Sequence, residues 1–299
     1  NNFLEGHGFT TSGLSRFEYT IPEAVKLSSK KLSKIDSIAT LILDKKMAPG
    51  FQVLVARKGK IVFSKSYGFH TGKKLKFVKN SDVYDLASLT KILASLPLIM
   101  KAQEDKEISL DSPLMEISPY FKNSNKDTLT VKEILSHFGR LKPWIPFYKE
   151  TQDSITGNNL NQFYRSVKSN EFDTKVAENT FLIKNYKDSI YKRIKEADQI
   201  ETSEYKYSDL GYYIFKEVLE KKHEKSLDKL VDEEFYKSLG ANRTSYLPLS
   251  KFKKNEIIPT EKDTYYRNQL LHGNVHDMGA SMLGGVGGHA GLFANANDV

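Results

Sequence analysis

The chain has no cysteine among its 299 residues, which excludes disulfides, thiol nucleophiles and cysteine-bound metals together. It has no apolar run near the ~18–20 residues of a membrane-spanning helix; the longest are short pieces such as residues 96–100. No leader opens it, since Asn1-Asn2-Phe3-Leu4-Glu5 is neither basic nor apolar. A processed exported protein would begin the same way, so the compartment stays open. Arginine is scarce. Only seven stand among 45 basic residues, so lysine carries the net charge of +8. Nucleic-acid readout favours arginine forks, and these lysines are dispersed, often beside acids, as in Lys187-Asp188 and Lys195-Glu196. The expected surface is solvated and mildly basic, with no nucleic-acid partner. What remains is globular stock: 39% hydrophobic and 27% charged residues, enough at this length for a sizeable core.

Residues 1–25 are polar, with Gly6, Gly8 and Gly13, and read as an N-terminal arm or linker. Leu32, Ile35, Ile38, Ala39 and Ile42 recur at helical spacing, and Pro49-Gly50 ends that helix. Residues 51–57 and 61–63 flank Lys58-Gly59-Lys60, a strand–turn–strand signal. From about residue 88 to 240 the pattern is mostly helical. Thr130-Val131-Lys132-Glu133 forms a capping box for a short helix reaching His137. Residues 150–200 are polar, with Tyr186 and Tyr191 among charges, and suggest a helical insertion or lid more than core. Two amphipathic helices follow, one marked by Leu210, Ile214 and Val218, the other by Leu227, Leu230, Val231 and Phe235 and closed by Gly240. Residues 241–299 lose periodicity and offer few convincing strands, so the expected α/β layer is short of sheet.

Two local patterns can carry chemistry. In Asp85-Leu86-Ala87-Ser88-Leu89-Thr90-Lys91, Ser88 and Lys91 stand three apart at a helix start. That spacing puts hydroxyl and ammonium on one face, near free N–H groups and the positive dipole end. A lysine beside a serine is one form of activated nucleophile; alone, the pattern is far more often a capping serine and a surface lysine. In Tyr207-Ser208-Asp209, before a helix, a phenol and a carboxylate can share one cleft, and a nearby ammonium such as Lys91 favours phenolate. Alone, this reads better as a helix cap at Asp209 with Tyr207 packed.

Together these motifs resemble the serine β-lactamase and penicillin-binding-protein superfamily, particularly class C-like serine hydrolases and esterases. Ser88 and Lys91 match its S-x-x-K nucleophile motif, and Tyr207-Ser208-Asp209 its Y-x-N motif with Asp in place of Asn. Residues 49–56, 84–88, 108–114, 129–137 and 288–294 are also similar to segments of that family, so the likeness spreads over roughly residues 26–299. A narrower likeness is to the β-lactamase-like module attached to family 3 glycoside hydrolases in Bacteroidetes. The resemblance implies an α+β transpeptidase-like fold: an antiparallel sheet flanked by helices, with an all-helical subdomain. It implies acyl transfer from an ester, an amide or a peptidoglycan-like substrate. Ser88 would be the nucleophile, Lys91 would accept or polarise its proton, and Tyr207 would relay protons. Asp209 would orient both, and its charge should hold Lys91 protonated, shifting the base role toward Tyr207. No cofactor or metal is implied. Export to a bacterial envelope is expected, with a glycoside hydrolase domain attached in the longer protein. A binding or regulatory module of the same fold is the alternative.

The family's third motif, K-T-G or H-x-G, is matched on paper by His289-Ala290-Gly291. That run sits in a glycine-rich stretch better matched to a segment preceding the motif, so the expectation is a domain lacking its last strands. Gly285-Val286-Gly287-Gly288-His289-Ala290 lacks the strand a dinucleotide fingerprint needs. His272, His276 and Asp277 lack metal-ligand spacing and read as a hydrogen-bonded polar loop. Trp144, the only tryptophan, is read as lining a cleft or packing.

Overall fold

The computed structural model describes residues 17–299. The arm expected over residues 1–25 therefore lies mostly outside the described residues. The chain divides into two compact units. One holds the residues up to Asp82 with Asp232–Thr244 and Asn295–Val299; the other holds Val83–Val231 and Ser245–Ala294.

The first unit carries strand β1 (Glu18–Tyr19), helix α1 (Lys34–Asp44) and strands β2 (Gly50–Arg57) and β3 (Lys60–Gly68). The sheet order is β1-β3-β2, with β2 and β3 antiparallel and β1 parallel to β3. Lys58 and Gly59 form the two-residue turn, both at positive φ, 53° and 70°. That is the backbone twist that closes a tight hairpin without splaying its strands.

The second unit begins with β4 (Tyr84–Asp85). After a turn, a π-helical segment, Lys91–Ser95, runs into α2 (Leu96–Glu104). Helix α3 (Val131–Leu135) opens on the expected capping box: Glu133 N–H donates to Thr130 Oγ1 while Thr130 N–H donates to Glu133 Oε2. Strands β5 (Tyr164–Arg165), β6 (Thr174–Ala177) and β7 (Thr180–Leu182) form an antiparallel sheet in the order β5-β7-β6. Helices α4 (Tyr186–Glu196) and α5 (Leu210–His223) follow. After these come β8 (Ser245–Tyr246), β9 (Glu261–Lys262), β10 (Leu270–Leu271), α6 (Met278–Met282) and β11 (Leu292–Ala294).

Strand β11 lies between β4 and β8, antiparallel to both. Under it sits a buried apolar cluster that includes Val83, Ile257, Val275, Ala290 and Phe293. Burying the Val, Ile and Phe side chains contributes about 1.5–3 kcal/mol each, adding to the β4–β11 ladder at this junction. Helices with small antiparallel sheets match the expected class. Residues 150–200 differ from expectation: they hold the three-stranded sheet as well as α4, and Tyr186 and Tyr191 are buried. Strands of two to four residues are too short to show a period of two in a polar sequence.

Candidate active site

The Ser88 turn is fixed by the residue that ends β4. Asp85 Oδ1 accepts the Ala87 N–H at 3.0 Å, and Oδ2 accepts the His276 N–H at 2.8 Å and lies 3.1 Å from His276 Nδ1. Its side chain is fully buried. Ala87 is driven to φ 48°, a left-handed conformation costing an L-residue about 1–2 kcal/mol. The next N–H groups, of Leu89, Thr90 and Lys91, bond back to Leu86, Ala87 and Ser88, starting the helix. Ser88 is left exposed on the outside of this bend. Strand β11 clasps the turn from both sides: Leu86 N–H donates to Leu292 O at 2.9 Å, and Leu292 N–H donates to Thr90 Oγ1 at 3.1 Å.

Lys91 is only 3% exposed. Its ammonium has three N–H groups and three oxygens around it. Ser88 Oγ lies at 2.9 Å, Asp209 Oδ1 at 2.6 Å and the carbonyl of His289 at 3.3 Å. The ammonium donates hydrogen bonds to Ser88 Oγ and the His289 carbonyl and is ion-paired with Asp209, whose Oδ1 accepts no hydrogen bond among the described residues, so the buried charge is paired. One turn later Ser95 Oγ donates to Gly288 O at 2.6 Å. Gly288 has to be glycine, because a Cβ there would stand 2.1 Å from Tyr212 O.

The opposite side of the lysine is the 207–209 turn. Ser208 caps α5, its Oγ accepting the Leu210 N–H at 3.1 Å and donating to Lys142 O at 2.6 Å. Asp209 makes no capping bond, so its carboxylate is free to face Lys91. Tyr207 is half-exposed and presents its ring face to Lys91 Nζ, 5.0 Å from the centroid, with Tyr212 at 5.6 Å, two cation–π contacts. His137 stacks on Tyr207 at 4.6 Å, and its Nδ1 accepts the Ser208 N–H at 3.2 Å. Burial, and then the nearby Lys91 charge, pull the His137 pKa below its ordinary value, with Asp209 opposing. The ring is therefore neutral at pH 7, with its proton on Nε2.

His289 is buried. Its ring stacks on Tyr213 at 4.0 Å and its Nε2 lies 2.8 Å from Asp277 Oδ1, so the imidazole is turned away from Ser88 and only the carbonyl faces Lys91. Asp277 also caps α6 by accepting the Ala280 N–H at 2.7 Å. Burial pushes its carboxyl up, but the His289 charge and hydrogen bond with that capping bond outweigh it and hold the group well below the usual carboxylate range. His272, His276 and Asp277 are thus engaged with Ile257 O, Asp85 and His289. Among the described residues no group of His, Asp and Glu is assembled to hold a metal.

A cavity of about 190 Å³ opens beside Asp209, walled by Trp144, Phe147, Tyr148 and Tyr213 and floored by Asp277 and Gly279. A larger cleft of about 880 Å³ lies along Lys216, Glu217 and Leu247, and none of Ser88, Lys91, Tyr207 or Asp209 lines it. Of the four residues expected from the motifs, Ser88, Lys91 and Asp209 are thus in direct contact, and the Tyr207 ring covers the lysine. Sequence reasoning missed Asp85, His137 and the His289 carbonyl. Asp85 and His137 stood inside quoted segments; the carbonyl, being backbone, leaves no side-chain signal.

A profile of the family described as Beta-lactamase matches residues 36–299. Among curated proteins, the chain is 28% identical over 305 residues to an N-acetylmuramyl-L-alanine amidase of Bacillus subtilis, covering 93% of this chain and 63% of that protein. It is 26% identical over 305 residues to an Escherichia coli protein named "Putative D-alanyl-D-alanine carboxypeptidase", covering 93% of this chain and 64% of that one. The chain therefore spans a little under two thirds of the length of these relatives. In structure it is similar to a class C beta lactamase from Rhodobacter sphaeroides, at TM-score 0.63 and 14% identity, over 89% of this chain and 63% of that one. It is also similar to the octameric penicillin-binding protein homologue from Pyrococcus abyssi, at TM-score 0.63 and 17% identity, over 89% and 54%. At these identities the structural likeness is one of fold.

Proposed function

This chain belongs to the beta-lactamase family, and from that premise we propose that it is a serine hydrolase opening an ester or amide bond through an acyl-enzyme on Ser88. One juxtaposition carries the reading: an exposed serine on a strained turn, with a buried ammonium 2.9 Å from its oxygen and a carboxylate 2.6 Å from that ammonium. Ser88 Oγ attacks the carbonyl carbon. Its proton passes to Lys91 as Lys91 passes one to Asp209, and the same relay run backward returns a proton from Asp209 through Lys91 to Ser88 Oγ when the acyl group is released. The oxyanion is met by the Ser88 N–H, with a second N–H from an opposing strand, as the resemblance implies. Tyr207, half-exposed against Lys91, returns a proton to the leaving group and takes one from the water that releases the acyl group.

The names of the two relatives describe bonds of N-acetylmuramyl and D-alanyl peptides. We therefore assign this chain a peptidoglycan-like or small ester or amide substrate and a place in the bacterial envelope or periplasm; attachment to a glycoside hydrolase domain in a longer protein is proposed only on the sequence resemblance to such a module. Among the described residues no helix is long and apolar enough to cross a membrane. The test is covalent labelling by a fluorophosphonate probe together with hydrolysis of a chromogenic short-chain ester. Wild type labels and turns over; Ser88→Ala does neither. Equal labelling of both proteins overturns the assignment of Ser88. An absence of any Ser88-dependent turnover favours a non-catalytic binding module, the reading that Asp in place of the family's Asn had left open.

A further inference from the structure

The cavity beside Asp209 has a chemistry of its own. Its charged lining is two carboxylates, Asp209 and Asp277, and no lysine or arginine borders it. Each carboxylate has one oxygen engaged, with Lys91 and with His289 plus Ala280, while among the described residues the Oδ2 of each accepts no hydrogen bond. The walls are the aromatic faces of Trp144, Phe147, Tyr148 and Tyr213. Tyr213 is 4% exposed, yet among the described residues its hydroxyl has no partner. That hydroxyl points at Gly279 in the cavity floor, where a Cβ would stand 1.7 Å from it. Without a partner among the described residues, that hydroxyl is open to a hydrogen bond with an occupant of the cavity. Free carboxylate oxygens, aromatic faces and an unpartnered hydroxyl together select a cation carrying N–H groups.

We propose that this cavity is a specificity pocket for an ammonium group on the acyl portion of the substrate, bound between Asp277 and Asp209 under the Trp144 and Tyr213 rings. The inference rests on the acyl-transfer reading, since Asp209, which borders the cavity, is ion-paired with the lysine that hydrogen-bonds Ser88. It falls to the acyl portion because that portion stays on the enzyme through both steps, whereas the leaving group has to depart after the first. The volume, about 190 Å³, suits an aminoalkyl chain better than a bulky ring system.

The experiment compares three p-nitrophenyl esters of matched length: 6-aminohexanoate, the neutral isostere heptanoate, and the anionic adipate monoester. The expected order of kcat/KM is ammonium over neutral by about tenfold, the size of a desolvated cation–π or charged hydrogen bond, with the anion slowest. Because the readout is a ratio within one protein, a general loss of activity cancels. In Asp277→Asn the ratio falls toward one. In Trp144→Ala, an exposed position whose loss the fold tolerates, it falls severalfold through KM. A wild-type ratio near one, or a ratio unchanged in both variants, overturns the pocket. Failure to hydrolyse any of the three esters in a Ser88-dependent way overturns the acyl-transfer reading instead.

Discussion

His137 shows how much a residue can do without touching the reacting atoms. Its Nδ1 holds the Ser208 N–H and its ring backs Tyr207, so it positions the turn that carries Tyr207 and Asp209. Protonation removes that acceptor, and the charged groups facing the ring are Lys91 and Asp209, with Tyr205, Tyr207 and Tyr212 around it. Since its pKa lies below the ordinary 6.5, the rate of Ser88 labelling should hold through neutral pH and fall at more acid pH. His137→Asn keeps an acceptor that does not titrate, so its profile should lose this acid limb. His137→Ala should slow labelling about fivefold at neutral pH, the equivalent of one neutral hydrogen bond. An acid limb unchanged in His137→Asn would assign it to another group. Ala87 offers a second probe. Ala87→Gly relieves the left-handed strain but frees the unfolded chain, so denaturant stability should stay within about 1 kcal/mol of wild type. Labelling should nevertheless slow, because the bend that presents Ser88 loses its restraint.

At the scale of elements, the helix ends do the positioning. Helix α3 is only one turn long, and its capping box stands in for the length it lacks. Thr130→Ala should cost about 1 kcal/mol in unfolding free energy, read from the denaturant midpoint. It should loosen His137, which follows this helix two residues on. The capping box, the 58–59 turn and the S-x-x-K helix start were all legible in the sequence, because each is a short-range pattern whose physics lies within four residues. The β5–β7 sheet was not, being made of strands too short to show alternation. The capping of α5 was read onto Asp209, whereas Ser208 performs it and leaves Asp209 to the lysine. Adjacent residues of equal capping ability cannot be ranked without knowing which one has another partner.

Over the whole molecule, stability should carry the signature of the His276–Asp85 pair. The hydrogen bond to Asp85, ahead of the opposing burial, raises the pKa of His276 above its ordinary value. A raised histidine stabilises the fold fully below about pH 6.5, and that contribution is lost as pH rises through the folded-state value. His276→Gln should therefore lower Tm by a few degrees near pH 5.5, and the difference should close toward pH 9. A gap that widens with pH would put the sign the other way. The overall charge of +8 was readable from the start and says little about the site, which gathers carboxylates. At the site itself, distance in sequence separates what was legible from what was not. Lys91 and Ser88 are three residues apart, whereas Lys91 and the His289 carbonyl are 198 apart.

That separation also sets a timetable. Strand β11 and the carbonyls before it are made long after the Ser88 turn that they fasten. On a ribosome adding roughly 5–20 residues per second, the Ser88 segment waits about 10–40 s after its own synthesis for its clasp. Until then the lysine ammonium lacks one oxygen and the bend lacks its flanking strand. If Ser88 is the acylated residue, stalled chains ending before residue 288 should therefore resist fluorophosphonate labelling, and chains that include the three-residue strand should label.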